Sequence, residues 1–143
     1  MAYEKIVFEK QGRIAYITLN RPEHLNAFSQ EQSYEMEDIF DEFDADDDLY
    51  VAILSGKGRC FSAGADVKRV HAASLESGQP QGLQNRKRGG FLEGKNFKPV
   101  IAAVHGYCYG RGLGAALACD IIVATEDAKF CVAELRRGFG GGG

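Results

Sequence analysis

PVIAAVHGYCYGRGLGAAL, residues 99–117, is the stretch that decides the fold. It opens as an unbroken apolar run from Val100 to Val104, the length of a strand buried on both faces. It then passes through Gly106, Gly110, Gly112 and Gly114 into the helix-forming run 113–118. A helix that begins where a buried strand ends leaves its first backbone N–H groups pointing outward, and glycine lets a ligand come close to them. Such a place attracts oxygen carrying negative charge.

Upstream, the same order of elements recurs. Residues 50–54 form a second apolar strand, with a turn at Ser55-Gly56-Lys57-Gly58, and CFSAGADVKRV (residues 60–70) follows. Ser62, Ala63, Gly64 and Ala65 make a surface of small residues, and Asp66 stands where it would cap a short helix carrying Val67 and Val70. Further back, residues 6–9 and 14–19 read as a hairpin turning at Gly12. The loop NRPEHLNAF (residues 20–28) cannot continue that pairing because of Pro22. A helix over 30–43 is predicted from the capping-box spacing of Ser29 and Gln32 and from Met36, Ile39, Phe40 and Phe43 on one face. The acidic run 44–48 sits at the unfavourable end of that helix's dipole and marks an exit into solvent. It lacks the glycine and distal glutamate of a calcium loop.

Residues 72–94 are the least regular part of the chain, with a broken helix near 83–88 and Arg86, Lys87 and Arg88 as a solvated face. After the deciding stretch come a strand over 120–124, a turn over 125–128, and a strand over 129–132 that delivers Glu134 to its end. Alternating strands and helices give the α/β class with mainly parallel strands. The 143 residues make one domain, a composition of 45% hydrophobic and 26% charged residues is globular, and a net charge of -3 gives no general attraction to nucleic acid or anionic lipid. Without an apolar leader or a membrane-length apolar run, a cytoplasmic location is expected. Cys60, Cys108, Cys119 and Cys131 form no C-x-x-C pair and read as buried reduced thiols, so no metal site is expected.

Three separated segments carry a resemblance: LNRPEHLNAF (residues 19–28), SAGADVK (residues 62–68) and KPVIAAVHGYCYGRGLGAALACDIIVATEDAKF (residues 98–130). In this order they resemble the enoyl-CoA hydratase/isomerase family, also called the crotonase superfamily. The resemblance implies a spiral of ββα units, here cut short at its C-terminal end, a homo-oligomer of trimers or paired trimers, and an acyl-CoA thioester as substrate with no further cofactor. It implies that the backbone amides of Ala65 and Arg111 hold the thioester oxygen. It also implies that CoA lies against His24 and Leu25, against Ala63, Gly64, Ala65, Asp66, Val67 and Lys68, and beside Gly110, with Lys68 as a phosphate partner. Glu23 stands where family members often carry a basic residue, and Arg111 where they often carry glycine.

The chemistry agrees with this carry-over. When a proton leaves C2 of a thioester the new charge sits on oxygen, so donors aimed there stabilise the transition state more than the ground state, by about 3 kcal/mol each. Hydratases of the family commonly use two glutamates, and the matching positions are Gly114 and Glu134. Glycine moves no proton, so a single carboxylate at Glu134 suits a double-bond isomerase, which takes a proton from one carbon and returns it to another.

Other readings are weaker. Gly110 to Ala115 fits a dinucleotide-binding pattern but lacks the acidic residue at the end of the next strand. No serine stands in G-x-S-x-G. His105 reads as a hydrogen-bonded core histidine, His71 as a surface one, and Asp120 as structural. The rival from another class is a CoA-binding or assembly module without catalysis, or an inactive fragment, because the chain stops well short of the family's usual length.

Overall fold

The computed structural model describes residues 3–66, 91 and 97–133. A hairpin opens the chain: β1 (Ile6–Gln11) and β2 (Ile14–Leu19) pair antiparallel across Gly12, which supplies the positive φ of the turn. β2 alternates inward and outward residues, burying Ala15, Ile17 and Leu19.

Helix α1 (Gln30–Ala45) follows the loop. Its cap is the expected one, with Ser29 Oγ accepting from the Gln32 N–H at 3.2 Å. The reciprocal half of a capping box is absent, because the Gln32 side chain is buried and turns to the Lys5 carbonyl. Met36, Ile39, Phe40 and Phe43 form the buried face. The Glu35 carboxylate ties α1 to the hairpin by accepting from the N–H groups of Glu4, Lys5 and Ile6 at 3.1, 2.8 and 3.0 Å. The acidic tail of α1 does more than exit into solvent. Lys98 Nζ donates to the carbonyls of Phe43 and Asp46, supplying the positive charge that the helix C-terminus favours, while Lys10 pairs with Glu42 and Asp46.

The chain then builds a five-stranded sheet in the order β1-β2-β3-β4-β6, parallel beyond the hairpin, from β3 (Val51–Gly56), β4 (Val100–Val104) and β6 (Ile121–Ala124). β3 runs two residues past its expected end at Leu54, into the expected turn. Ser55 pairs with Thr18, and Gly56 fits because a Cβ there would stand 2.5 Å from the Phe61 carbonyl oxygen. β4 buries Val100, Ala102 and Val104 and leaves Ile101 and Ala103 partly exposed, so its two faces are unequal.

The largest departure lies in the deciding stretch itself. Between β4 and the second helix the chain makes a short strand, β5 (Tyr107–Tyr109), which pairs parallel with β7 (Lys129–Cys131) in a separate two-stranded sheet. Helix α2 (Arg111–Leu117) therefore starts two residues earlier than the run 113–118 suggested. Asp120 is structural, its carboxylate accepting from the Val100 N–H at 2.8 Å. The helix expected after Asp66, and the segment 72–94 apart from Phe91, lie outside the described residues. No helix among the described residues is long and apolar enough to cross a membrane.

Candidate functional site

The loop after β2 is held by its own polar groups. A 3-10 turn, Pro22–His24, leads into Leu25 and Asn26, both at φ 52. Two consecutive non-glycine residues in the left-handed region are strained, and they persist where surrounding bonds over-determine them. Asn26 is fully buried. Its Oδ1 accepts from the Arg21 N–H at 2.9 Å, and its Nδ2 donates to the Lys57 and Cys60 carbonyls, each at 2.9 Å. Arg21 in turn donates to the Ala27 carbonyl and forms an ion pair with Asp66 at 3.0 Å, where both side chains are largely buried.

That loop is zipped to the segment 62–66. The Ala63 N–H donates to Leu25, the Phe28 N–H to Gly64, and the Asp66 N–H to Phe28, at 2.9, 2.8 and 3.0 Å. Phe28 and Ala65 are thus partners in a parallel bridge. In such a bridge one strand bonds the residues flanking its partner, so the partner's own N–H and C=O face the other edge. The amides of Ala63, Gly64 and Asp66 are all used. The Ala65 N–H faces away from the loop, with no acceptor among the described residues.

Close to Gly64 lies the start of α2. Gly64 sits at φ +111, and a Cβ there would stand 3.1 Å from the Tyr109 carbonyl oxygen and 3.8 Å from the backbone nitrogen of Arg111. The two glycine segments therefore meet within van der Waals distance, with Arg111 as the first residue of α2. The positive φ that an arginine would resist falls on Gly110 (φ 50) instead. The Arg111 side chain finds room over the Phe28 ring, its guanidinium 5.6 Å from the centroid, with Nη2 donating to Ser33 Oγ at 3.3 Å.

Of the residues predicted to form the site, the structure places Gly64 against the Tyr109 carbonyl and the backbone nitrogen of Arg111, and bonds Ala63 to Leu25. Asp66, read as a helix cap, spends its carboxylate on Arg21. His24 is exposed and lies 3.8 Å from the Glu23 carboxylate. Val67, Lys68 and Glu134 lie outside the described residues. His105 is hydrogen-bonded, to the Gly58 carbonyl at 2.8 Å, but it is partly exposed and not a core residue. Among the described residues nothing lies within 4 Å of a Cβ built on Gly114.

Three residues that carry this geometry, Arg21, Asn26 and Ser62, were not singled out as site residues by sequence. Asparagine's tolerance of the left-handed region, in a loop bounded by proline and two strands, is the signal that points to Asn26. Burial pushes the nearby Cys60 thiol up, and pushes Cys108 up to about 11, which disfavours the thiolate form that a nucleophile needs.

A family model described as Enoyl-CoA hydratase/isomerase matches residues 9–143. A probable enoyl-CoA hydratase of Rhizobium meliloti (strain 1021) is 38% identical over 139 residues, covering 96% of this chain and 52% of the relative. A short-chain-enoyl-CoA hydratase of Clostridium acetobutylicum is 36% identical over 146 residues, covering 99% and 56%. Among solved structures, a putative enoyl-CoA hydratase from Streptomyces coelicolor A3(2) superposes with a TM-score of 0.88 at 32% identity, covering 99% of this chain and 52% of that one. The chain spans about half the length of the curated relatives it matches.

Proposed function

The chain belongs to the enoyl-CoA hydratase/isomerase family, and from that premise we propose that it binds an acyl-CoA thioester and stabilises the enolate formed at C2. The amides of Ala65 and Arg111 hold the thioester oxygen, and Glu134 moves the proton. One observation carries the reading: the Ala65 N–H faces away from the loop ladder, and the preceding residue, Gly64, lies within van der Waals distance of the backbone nitrogen of Arg111. Two backbone donors fixed by secondary structure need no reorganisation when charge develops on the oxygen, which is what makes such donors worth about 3 kcal/mol each.

In the favoured reaction the Glu134 carboxylate takes a proton from C2 of a 3-enoyl thioester. The electron pair passes into a dienolate whose charge rests on the thioester oxygen, and the protonated carboxyl group, after exchanging with solvent, delivers a proton to C4 to give the 2-enoyl isomer. One carboxylate completes this cycle, which suits a chain with glycine at position 114. A second reading, addition of water to a 2-enoyl thioester, is favoured by the relatives described above, which are named as hydratases. The proposal includes a homo-oligomer, a trimer or a pair of trimers, which sedimentation equilibrium tests.

The deciding experiment incubates the purified chain with a 3-enoyl-CoA and with a 2-enoyl-CoA in deuterated water. Deuterium at C2 or C4 with bond migration supports the isomerase, and hydrated product supports the second reading. A folded chain that exchanges nothing is a binding module, and the catalytic reading is then wrong.

A further inference from the structure

Ser62 is fully buried and uses every polar atom it has. Its N–H donates to the Tyr107 carbonyl at 2.9 Å, and its carbonyl accepts from the Tyr109 N–H at 3.0 Å, which joins it to β5. Its hydroxyl donates to the Asn26 carbonyl at 2.8 Å and accepts from the Gly64 N–H at 3.2 Å. Its Cβ occupies the space over Gly112, where an added Cβ would stand 2.6 Å away. One small side chain thus touches the loop at Asn26, the segment leading to Ala65, and the first turn of α2.

The Ala65 N–H belongs to the same peptide plane as the Gly64 carbonyl. That carbonyl is fixed from one side by the Phe28 N–H, and Gly64 is fixed from the other by the Ser62 hydroxyl. Gly64, at φ +111, is the residue most free to rotate once an anchor is lost. A hydroxyl of this size both donates and accepts, whereas alanine does neither and leaves a buried carbonyl and a buried N–H without partners. We propose that Ser62 is a positioning residue: its hydroxyl and Cβ set the direction of the Ala65 amide and its spacing from Arg111, without contact with substrate. This rests on the thioester reading above.

The test compares the full chain with Ser62→Ala, and with Thr18→Ala as a control that removes the Thr18–Ser55 hydroxyl pair of the sheet. The probe is a 2-enoyl-CoA carrying 13C in its thioester carbonyl, followed by difference infrared spectroscopy, alongside kcat and KM for deuterium exchange. Expected are a carbonyl stretch lowered on binding to the unsubstituted chain, and less than half that lowering in Ser62→Ala. With it goes a fall in kcat of roughly 10- to 100-fold at a KM within about threefold. Thr18→Ala keeps both. If Ser62→Ala does not fold, Ser62→Cys, which keeps the packing over Gly112 and weakens both hydrogen bonds, carries the same expectation. No lowering with the unsubstituted chain overturns the thioester reading and this inference with it. A full lowering retained in both Ser62 variants, or a rise in KM at constant kcat, overturns the Ser62 inference alone.

Discussion

Gly112 and Gly114 lie two residues apart in one turn of α2, and their surroundings give opposite expectations for adding a side chain. At Gly114 a Cβ meets nothing within 4 Å among the described residues and φ lies outside the left-handed region, so Gly114→Glu introduces no clash with them. Replacing a helical glycine by glutamate gains about 0.5 kcal/mol of propensity, and a carboxylate near a helix N-terminus adds about 0.3–1 kcal/mol. The net expectation is a stabilisation of about 1 kcal/mol, a rise in Tm of roughly 3 °C for a chain of this size. At Gly112 a Cβ would stand 2.6 Å from Ser62 Cβ and 3.0 Å from its carbonyl oxygen, so Gly112→Ala must move backbone. Overpacking of this kind costs about 1–3 kcal/mol, a fall of roughly 3–9 °C.

The functional half of the prediction is separate from the stability half. The resemblance matches position 114 to one of the two glutamates used for hydration, so Gly114→Glu should add water to a 2-enoyl-CoA faster than the unsubstituted chain by at least about tenfold, within the range of a positioned acid/base group. Urea unfolding followed by circular dichroism reads the stabilities, and loss of the conjugated thioester absorbance reads hydration. A Gly114→Glu variant destabilised by more than about 1 kcal/mol, or a neutral Gly112→Ala, would refute the packing argument. A stable Gly114→Glu variant with no gain in hydration would refute the assignment of the position.

Three further outcomes are expected. Glu134→Gln should lower turnover by about 100-fold or more while leaving acyl-CoA affinity within a few-fold, as titration calorimetry and exchange kinetics would show; unchanged turnover removes Glu134 from the mechanism. Arg21→Met leaves the carboxylate of Asp66 largely buried without its ion-pair partner, for a loss of about 3 kcal/mol; the double variant Arg21→Met/Asp66→Asn should recover part of it, and additive losses would mean that the pair is not coupled. Burial pushes the Cys108 and Cys119 thiols up to about 11 and about 12, so at pH 8 roughly one Cys108 in a thousand is thiolate. Both should alkylate more than about 100-fold slower in the native chain than in denaturant. Because these folded-state values lie above the unfolded value, their contribution to stability is present below about pH 8.5 and is lost as pH rises toward 11.

The elements that sequence reading located best are those whose signal is local. α1 follows from a period of 3.6 and a serine cap, and β4 from five apolar residues in a row, because each property is written within a few neighbouring positions. β5 carries no such signal. Tyr107, Cys108 and Tyr109 become a strand through pairing with Lys129, Phe130 and Cys131, about twenty residues on, and through Ser62, more than forty residues back. Read alone, the three look like part of a glycine-rich passage. The exit of α1 into solvent was legible, but the charge that offsets its acidic tail comes from Lys98, more than fifty residues on.

The site divides along the same line. Gly64 and Gly110 were legible because a positive φ and a close approach favour one residue type, and both glycines do carry a positive φ. But a glycine that is free to take the required angle is equally free to leave it, so its presence marks where the chain must bend without saying what holds the bend. That holding falls to Asn26, Ser62 and the Arg21–Asp66 pair, each of which satisfies partners 31 to 45 residues away. Polar residues of these types are common in loops, and nothing in their neighbours distinguishes a solvated hydroxyl from one that donates and accepts in a buried site. Glycine spacing therefore locates the candidate site, while the rigidity that would make two amides useful to an enolate comes from residues whose role appears once the fold brings their partners together.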